Sequence, residues 1–221
     1  MFGNNPIRQI SNNDGTMLDV QNIFLTIQGE GPCAGIPAIF IRLGGCNLAC
    51  KFCDTEFESF KLISLKQIME EVFELKADLA TNLIVITGGE PFRQNISPLC
   101  DELIKNNFLV QIETNGTLFR PLNPMVSIVC SPKASKLGYA PIREDLLVYL
   151  DAFKFIISQS QQNYSQVPDM GQKKHRIAVY LQPMDEYDEN KNAQNTILTI
   201  KLCQQYGYRL SLQTHKFIGI E

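Results

Sequence analysis

Tryptophan is absent from the 221 residues and histidine occurs only twice, so imidazole ligands and neutral-pH bases are scarce. No uninterrupted apolar run outlasts the five residues of 146–150 or 177–181, far short of the roughly 20 that cross a bilayer. The opening MFGNNPIRQISNNDGT has no apolar stretch of the secretory type, and the expectation is a cytoplasmic chain with reduced cysteines and no membrane partner. Lysine and arginine number 20 against 23 acids, a net charge of −3, and they are scattered. That leaves no basic footprint for nucleic acid or an anionic surface, and a small molecule is the expected partner. What is present is ordinary for a folded enzyme or binding domain: 44% hydrophobic and 19% charged residues, which exclude a disordered or fibrous chain.

The first 17 residues are rich in Asn, Gly and Ser without periodicity, and read as a flexible extension (1–17) before a single domain (18–221). Residues 22–28 and 38–43 have the β-branched and aromatic character of strands. Ser64 followed by Gln67 forms a capping-box pattern, and Ile68, Val72 and Leu75 recur at helical spacing. LIVIT (83–87) is a short run suited to a strand buried on both faces. Further strands are expected at 108–114, 126–130, 152–157, 176–183 and 208–213, with helices over 96–106 and 192–206, the second closed by Gly207. This alternation predicts an α/β fold with a mainly parallel sheet and ligands at the carboxyl ends of its strands.

Seven cysteines stand at 33, 46, 50, 53, 100, 130 and 203, an odd number with no sign of a disulfide framework. Three fall within eight residues, Cys46-Asn-Leu-Ala-Cys50-Lys-Phe-Cys53, after Gly44-Gly45. A structural zinc takes four protein ligands, and the fourth is not apparent: Cys33 lies 13 residues upstream, and His175 and His215 are more than 100 residues away. A zinc-stabilised binding module stays open on these grounds. An iron–sulfur cluster fits three thiolates better, because its fourth iron is then free to chelate the amino and carboxylate groups of S-adenosylmethionine (SAM). A plain iron–sulfur electron carrier gives that open iron no purpose.

Cys46, Cys50 and Cys53 match the CxxxCxxC motif of the radical SAM enzymes, with Phe52 at the aromatic position before the third cysteine and Gly88-Gly89-Glu90 resembling the family's GGE element. TIQGEG (26–31), GIPAIFIRL (35–43), CDT (53–55), TGGEP (87–91), ETNG (113–116), SPK (131–133), QPMD (182–185) and LQTHK (212–216) together resemble the 7-carboxy-7-deazaguanine synthases over nearly the whole chain. The resemblance implies a modified, partial (β/α) barrel of the radical SAM type with a mainly parallel curled sheet. It also implies the ring-contracting conversion of 6-carboxy-5,6,7,8-tetrahydropterin to 7-carboxy-7-deazaguanine with release of ammonia, a carbon–nitrogen lyase reaction of queuosine and 7-deazapurine biosynthesis. A homodimer and an external electron donor such as a flavodoxin or ferredoxin come with it. A glycyl-radical-enzyme activase shares the three cysteines but acts on a protein, which Gln28-Gly29-Glu30, Arg42 and Thr55 argue against.

Residue by residue, the resemblance implies Cys46, Cys50 and Cys53 as ligands of a [4Fe–4S] cluster and Thr55 as a Mg2+ ligand. For SAM it implies Phe52, Cys53, Asp54, Gly89, Ser131, Pro132, Lys133, Gln182, Pro183, Met184 and Asp185. For the pterin it implies Ile27, Gln28, Gly29, Arg42, Thr87 and Glu221, whose terminal carboxylate would let the tail close the site, with Glu30, Glu113 and His215 as auxiliary catalytic candidates. Arg42 has independent support: it interrupts the apolar run AIFIRL, where a guanidinium needs a partner and offers a fork for a substrate carboxylate. A lone threonine after Cys-Asp is otherwise an ordinary turn residue. Cys33, Cys100, Cys130 and Cys203 read as small hydrophobes.

Overall fold

Strand β1 (Met17–Ile27) buries Leu18 and Val20, then Ile23. The alternation changes phase because a β-bulge between Val20 and Asn22 inserts a residue and turns Ile23 back to the covered face. The computed structural model to which it belongs describes residues 5–220, in two compact units. The first takes in the chain up to Gln28, Ile36–Thr114 and Leu118–Ile128. In it β1 pairs antiparallel with β2 (Pro37–Leu43) and with β3 (Lys61–Ser64). Ser64 then caps α1 (Leu65–Lys76), its hydroxyl accepting from the Gln67 N–H while the Gln67 side chain accepts from the Ser64 N–H at 3.0 Å. The helix thereby starts with Ile68 and Val72 on the face fully removed from water, worth about 2 kcal/mol for each side chain.

Strand β4 (Leu83–Gly88) runs parallel to β2 in a register that sets Thr87 opposite Arg42. Its first four residues are all buried, as a strand covered on both faces requires. After α2 (Ser97–Lys105), β5 (Leu109–Thr114) adds in parallel to β4, completing the order β3-β1-β2-β4-β5. The segment before Met17, read from its composition as loose, is bonded to this unit. The Arg8 N–H donates to the Cys46 carbonyl at 2.7 Å and the Ser11 N–H to the Arg93 carbonyl at 2.8 Å.

The second unit contains Gly29–Gly35, Asn115–Thr117 and the chain from Val129 on. The end of β6 (Ser127–Cys130) enters it and pairs in parallel with β9 (Ala152–Ile157), after the small hairpin of β7 (Ala134–Ser135) and β8 (Gly138–Tyr139). Following the short α3 (Gln172–His175), β10 (Ala178–Pro183) lies parallel to β9. Helix α4 (Glu189–Tyr206) ends at Gly207 in the left-handed conformation, φ 70°, as the sequence pattern foresaw. β11 (Arg209–Leu210) is shorter than the expected 208–213, because the Ser211 N–H still reaches the Leu181 carbonyl at 2.8 Å but Gln213 and Thr214 bond to residues 29–30 instead. The described chain closes with α5 (Thr214–Ile218).

The α/β expectation holds: in the first unit the antiparallel β3, β1 and β2 edge the parallel β2, β4 and β5, and in the second the end of β6, β9, β10 and β11 all run parallel. No helix among the described residues is long and apolar enough to cross a membrane. Replacing Ser64 by alanine removes the α1 cap, and a loss of about 1 kcal/mol in urea-unfolding stability is expected; an unchanged midpoint and slope would show that the cap contributes nothing.

Candidate active site

The three clustered cysteines lie on the loop that leaves β2, and main-chain bonds fix where that loop begins. The Gly89 N–H donates to the Leu43 carbonyl and the Glu90 N–H to the Gly45 carbonyl, each at 3.1 Å. A β-carbon on Gly89 would overlap the Gly45 carbonyl, and one on Gly88 would overlap the Leu43 backbone. Gly88 also sits at φ 126°, a region glycine alone enters freely. Glu90 is fully buried; its carboxylate accepts from the Thr114 hydroxyl at 2.7 Å and the Phe92 N–H at 3.1 Å. Behind the loop, buried Arg93 pairs with Asp19 at 2.5 Å and donates to the Gly44 carbonyl at 2.9 Å.

On this support Cys46 is buried and Cys50 and Cys53 are partly exposed, none of them in a disulfide. Burial pushes the Cys46 thiol up to about 12, with Glu90, Cys50 and Cys53 adding to the effect; a thiol held there would ligate only if a metal took the place of its proton. Among the described residues no three His, Cys, Asp or Glu side chains are grouped to hold one metal ion. Cluster ligands bind different irons and need not meet at one ion, and three unbridged thiols on an anchored loop are a fitting donor set for a [4Fe–4S] cluster. Just beyond, the Thr55 hydroxyl donates to Asp54 at 3.3 Å and the Thr55 carbonyl accepts from Asn5 at 3.4 Å. Phe52 is half-buried.

Arg42 and Thr87 are neighbours across β2 and β4. The Arg42 guanidinium lies over the Phe24 ring, 5.2 Å from its centre, and Phe24 stacks on Phe40, an aromatic bed that holds a cation and restricts its motion. After Ile27 at the end of β1, Gln28 is buried and donates to Glu113 Oε1 at 3.3 Å. Gln111 donates to the same oxygen at 2.9 Å. Gln111 is absent from the sequence motifs; its signal is a buried amide inside the apolar strand FLVQIET.

In the second unit, Lys133 folds over its own turn, donating to the Ser131 carbonyl at 2.8 Å and hydroxyl at 2.6 Å, next to Pro132. Gln182 accepts from Ser211 at 3.1 Å. After Pro183, buried Met184 donates its N–H to the Ile157 carbonyl at 2.8 Å. Asp185 pairs with Lys216 at 2.9 Å. Burial would raise the Asp185 carboxyl, but Lys216, the Tyr187 N–H and Asn192 outweigh it and hold the group below its usual range. Glu30 pairs with Lys154 at 2.5 Å and accepts from Gln213 at 2.8 Å. Burial works against its charge, yet Lys154, Gln213 and His215 bring this carboxyl down to about 2. The His215 ring packs on Gly29, where a β-carbon would overlap it. Lys154 escaped the sequence reading; its signal is a charge inside AFKFII. Glu221 lies outside the described residues.

The Radical SAM superfamily model matches residues 40–131. A protein of Rickettsia prowazekii named 7-carboxy-7-deazaguanine synthase is 57% identical over 225 residues, spanning 100% of this chain and 96% of its own length. One of the same name from Rhodospirillum rubrum is 36% identical over 239 residues, with 100% of both chains covered. Among solved structures, QueE from Escherichia coli superposes with a TM-score of 0.74 at 25% identity, covering 91% of this chain and 99% of that one.

The packing at Gly89 generates a test. Gly89→Ala forces the Gly45 carbonyl and the first residues of the cysteine loop aside, and iron bound per chain after anaerobic reconstitution is expected to fall several-fold while the circular dichroism spectrum is kept. Wild-type iron content would show that the loop tolerates the displacement.

Proposed function

Because the chain belongs to the 7-carboxy-7-deazaguanine synthase family of radical SAM enzymes, we propose that it converts 6-carboxy-5,6,7,8-tetrahydropterin to 7-carboxy-7-deazaguanine and ammonia. The observation that carries this reading is the 57% identity over the full chain, joined to a three-thiol loop anchored on a Gly-Gly-Glu turn. A [4Fe–4S] cluster with SAM supplies, when bound, the one-electron cleavage that yields methionine and a hydrogen-abstracting 5′-deoxyadenosyl group. Loss of ammonia alone balances substrate against product, so SAM is regenerated and no net oxidant is consumed.

The chain's own groups have the following roles in this reading. Cys46, Cys50 and Cys53 hold the cluster. Gly89 presents backbone to the methionine end of SAM, Phe52 and Asp54 flank the cofactor, and Ser131, Pro132, Lys133, Gln182, Pro183, Met184 and Asp185 contribute to its binding. Arg42 takes the substrate carboxylate through two parallel N–H bonds, supported by its bed on Phe24. Ile27, Gln28, Gly29 and Thr87 line the pterin, with amide groups matched to the polar edge of a guanine-like ring. Glu113, steadied by Gln28 and Gln111, accepts from the same ring, and Glu30 and His215 stand beside Gly29 in support. Thr55 would offer its hydroxyl to a Mg2+ ion, because magnesium favours hard oxygen donors. A homodimer, cytoplasmic residence and a flavodoxin- or ferredoxin-like electron donor complete the proposal.

Anaerobic incubation of reconstituted protein with SAM, reductant, Mg2+ and 6-carboxytetrahydropterin is expected to yield 7-carboxy-7-deazaguanine by mass, with SAM not consumed stoichiometrically. Cleavage of SAM without that product would remove the substrate assignment and keep the radical chemistry. The Thr55→Ala protein is expected to keep its cluster absorbance and to need more Mg2+ for half-maximal turnover. Wild-type activity at limiting Mg2+ would sink the metal assignment.

A further inference from the structure

Lys154 sits in the middle of β9 with 8% of its side chain exposed. An ammonium removed from water in an apolar strand is sustained only by a paired carboxylate with its remaining lone pairs satisfied. Here the partner is Glu30, 2.5 Å from Nζ through Oε2. Its other oxygen, Oε1, accepts from Gln213 Nε2 at 2.8 Å. One carboxylate therefore joins a core strand to the segment between β11 and α5.

Uncharged bonds run along the same seam. The Gly31 N–H donates to the Ser211 hydroxyl at 2.9 Å. The Gly29 carbonyl accepts from both the N–H and the hydroxyl of Thr214 at 3.1 Å. Ser211 passes its own proton on to Gln182 at 3.1 Å, and His215 closes on the bare face of Gly29. Residues 29–31 and 211–215 are thus stitched at Ser211, Gln213, Thr214 and His215, and Glu30 carries the ion pair of the seam.

We propose that Lys154 is a positioning residue for the substrate pocket: by fixing the Glu30 carboxylate it clamps residues 211–215 onto the turn that follows Gln28, and through that clamp it sets affinity for the pterin. The proposal rests on the functional reading above, in which Gln28 and Gly29 meet the substrate. Lys154 acts through Glu30 and Gln213, so its loss weakens binding more than chemistry. Arginine in its place still pairs with the carboxylate, whereas methionine keeps the volume and removes the ammonium from the buried Glu30 carboxylate, which retains Gln213 and the field of His215.

The test uses reconstituted holoenzyme carrying Lys154→Met, Lys154→Arg or the double change Lys154→Met/Glu30→Gln, which removes both charges and protects folding. Steady-state constants for 6-carboxytetrahydropterin are measured beside amide hydrogen exchange of residues 208–220. Lys154→Met is expected to raise KM about tenfold with kcat changed less than about threefold, the signature of lost binding. Exchange at 211–215 should quicken by a similar factor, and Lys154→Arg should recover most of both. The double variant should fold and keep the raised KM, because a neutral amide pair lacks the charged stitch. Unchanged KM and exchange in Lys154→Met would overturn the clamp, and so would a double variant with wild-type KM, which would trace the defect to an uncompensated buried charge. If the wild type makes no 7-carboxy-7-deazaguanine, the functional reading falls, and unchanged exchange in Lys154→Met would separately overturn the clamp.

Discussion

Two parallel strands, β2 and β4, end side by side, and the chain leaving each must pass the other at backbone distance. The bonds from Gly89 to Leu43 and from Glu90 to Gly45 exist because neither Gly88 nor Gly89 has a side chain to hold the two backbones apart. In the proposed reading this loop holds a cluster through its sulfurs, and a sulfur can serve that way only if its backbone is placed by more than flexible side chains. Main-chain bonds to a buried strand provide that rigidity at the first cysteine. Farther along the loop, Cys50 and Cys53 are more exposed than Cys46.

The interior around this junction carries formal charges held by specific partners. Glu90 caps the turn at Phe92 and receives the Thr114 hydroxyl; Arg93, three residues on, pairs with Asp19 and reaches the carbonyls of Gly44 and Gln9. Buried pairs of this kind add little net stability against an apolar replacement, but removing one partner leaves a charge stranded and is costly. Their effect is geometric. Arg93 ties the start of the cysteine loop to β1 and to the amino-terminal segment through one planar group with several fixed donors. The Lys154–Glu30 pair in the second unit follows the same logic, tying a strand to two loop segments.

Much of this was legible in the amino-acid string because it is local. The Ser64–Gln67 box and the Gly207 cap are contacts within a few residues, and the structure forms both. LIVIT reads as a strand covered on two faces, and β4 is one. The cysteine spacing and the Gly-Gly-Glu turn are likewise short strings with a chemical meaning. What was not legible depends on long-range partners. Nothing near Arg93 in sequence announces Asp19 or Gly44, and the Asn-rich opening residues look loose until the bonds from Arg8 and Ser11 are seen. Lys154 and Gln111 are intermediate cases: a polar group inside AFKFII or FLVQIET signals a partner without naming it. AIFIRL sends the same signal at Arg42, and there the family resemblance supplied the candidate ligand.

Selectivity in hydrogen-atom transfer is a matter of position, because the acceptor takes whichever C–H stands nearest in the right direction. A substrate free to tumble would be attacked at several carbons. In the proposed reading the carboxylate end is held by Arg42, itself pressed on Phe24, and the polar ring edge meets Gln28 and Glu113, which are linked to each other and to Gln111. Arg42 and Glu113 are therefore restrained by Phe24 and Gln111, which stand on β1 and β5 and do not touch substrate, and Gln28, just past the end of β1, is tied to Glu113. Strand-borne groups cost little entropy to hold in place when substrate arrives. That is why the amide row and the guanidinium, which carry no reactive chemistry themselves, bear on which bond of the pterin is broken.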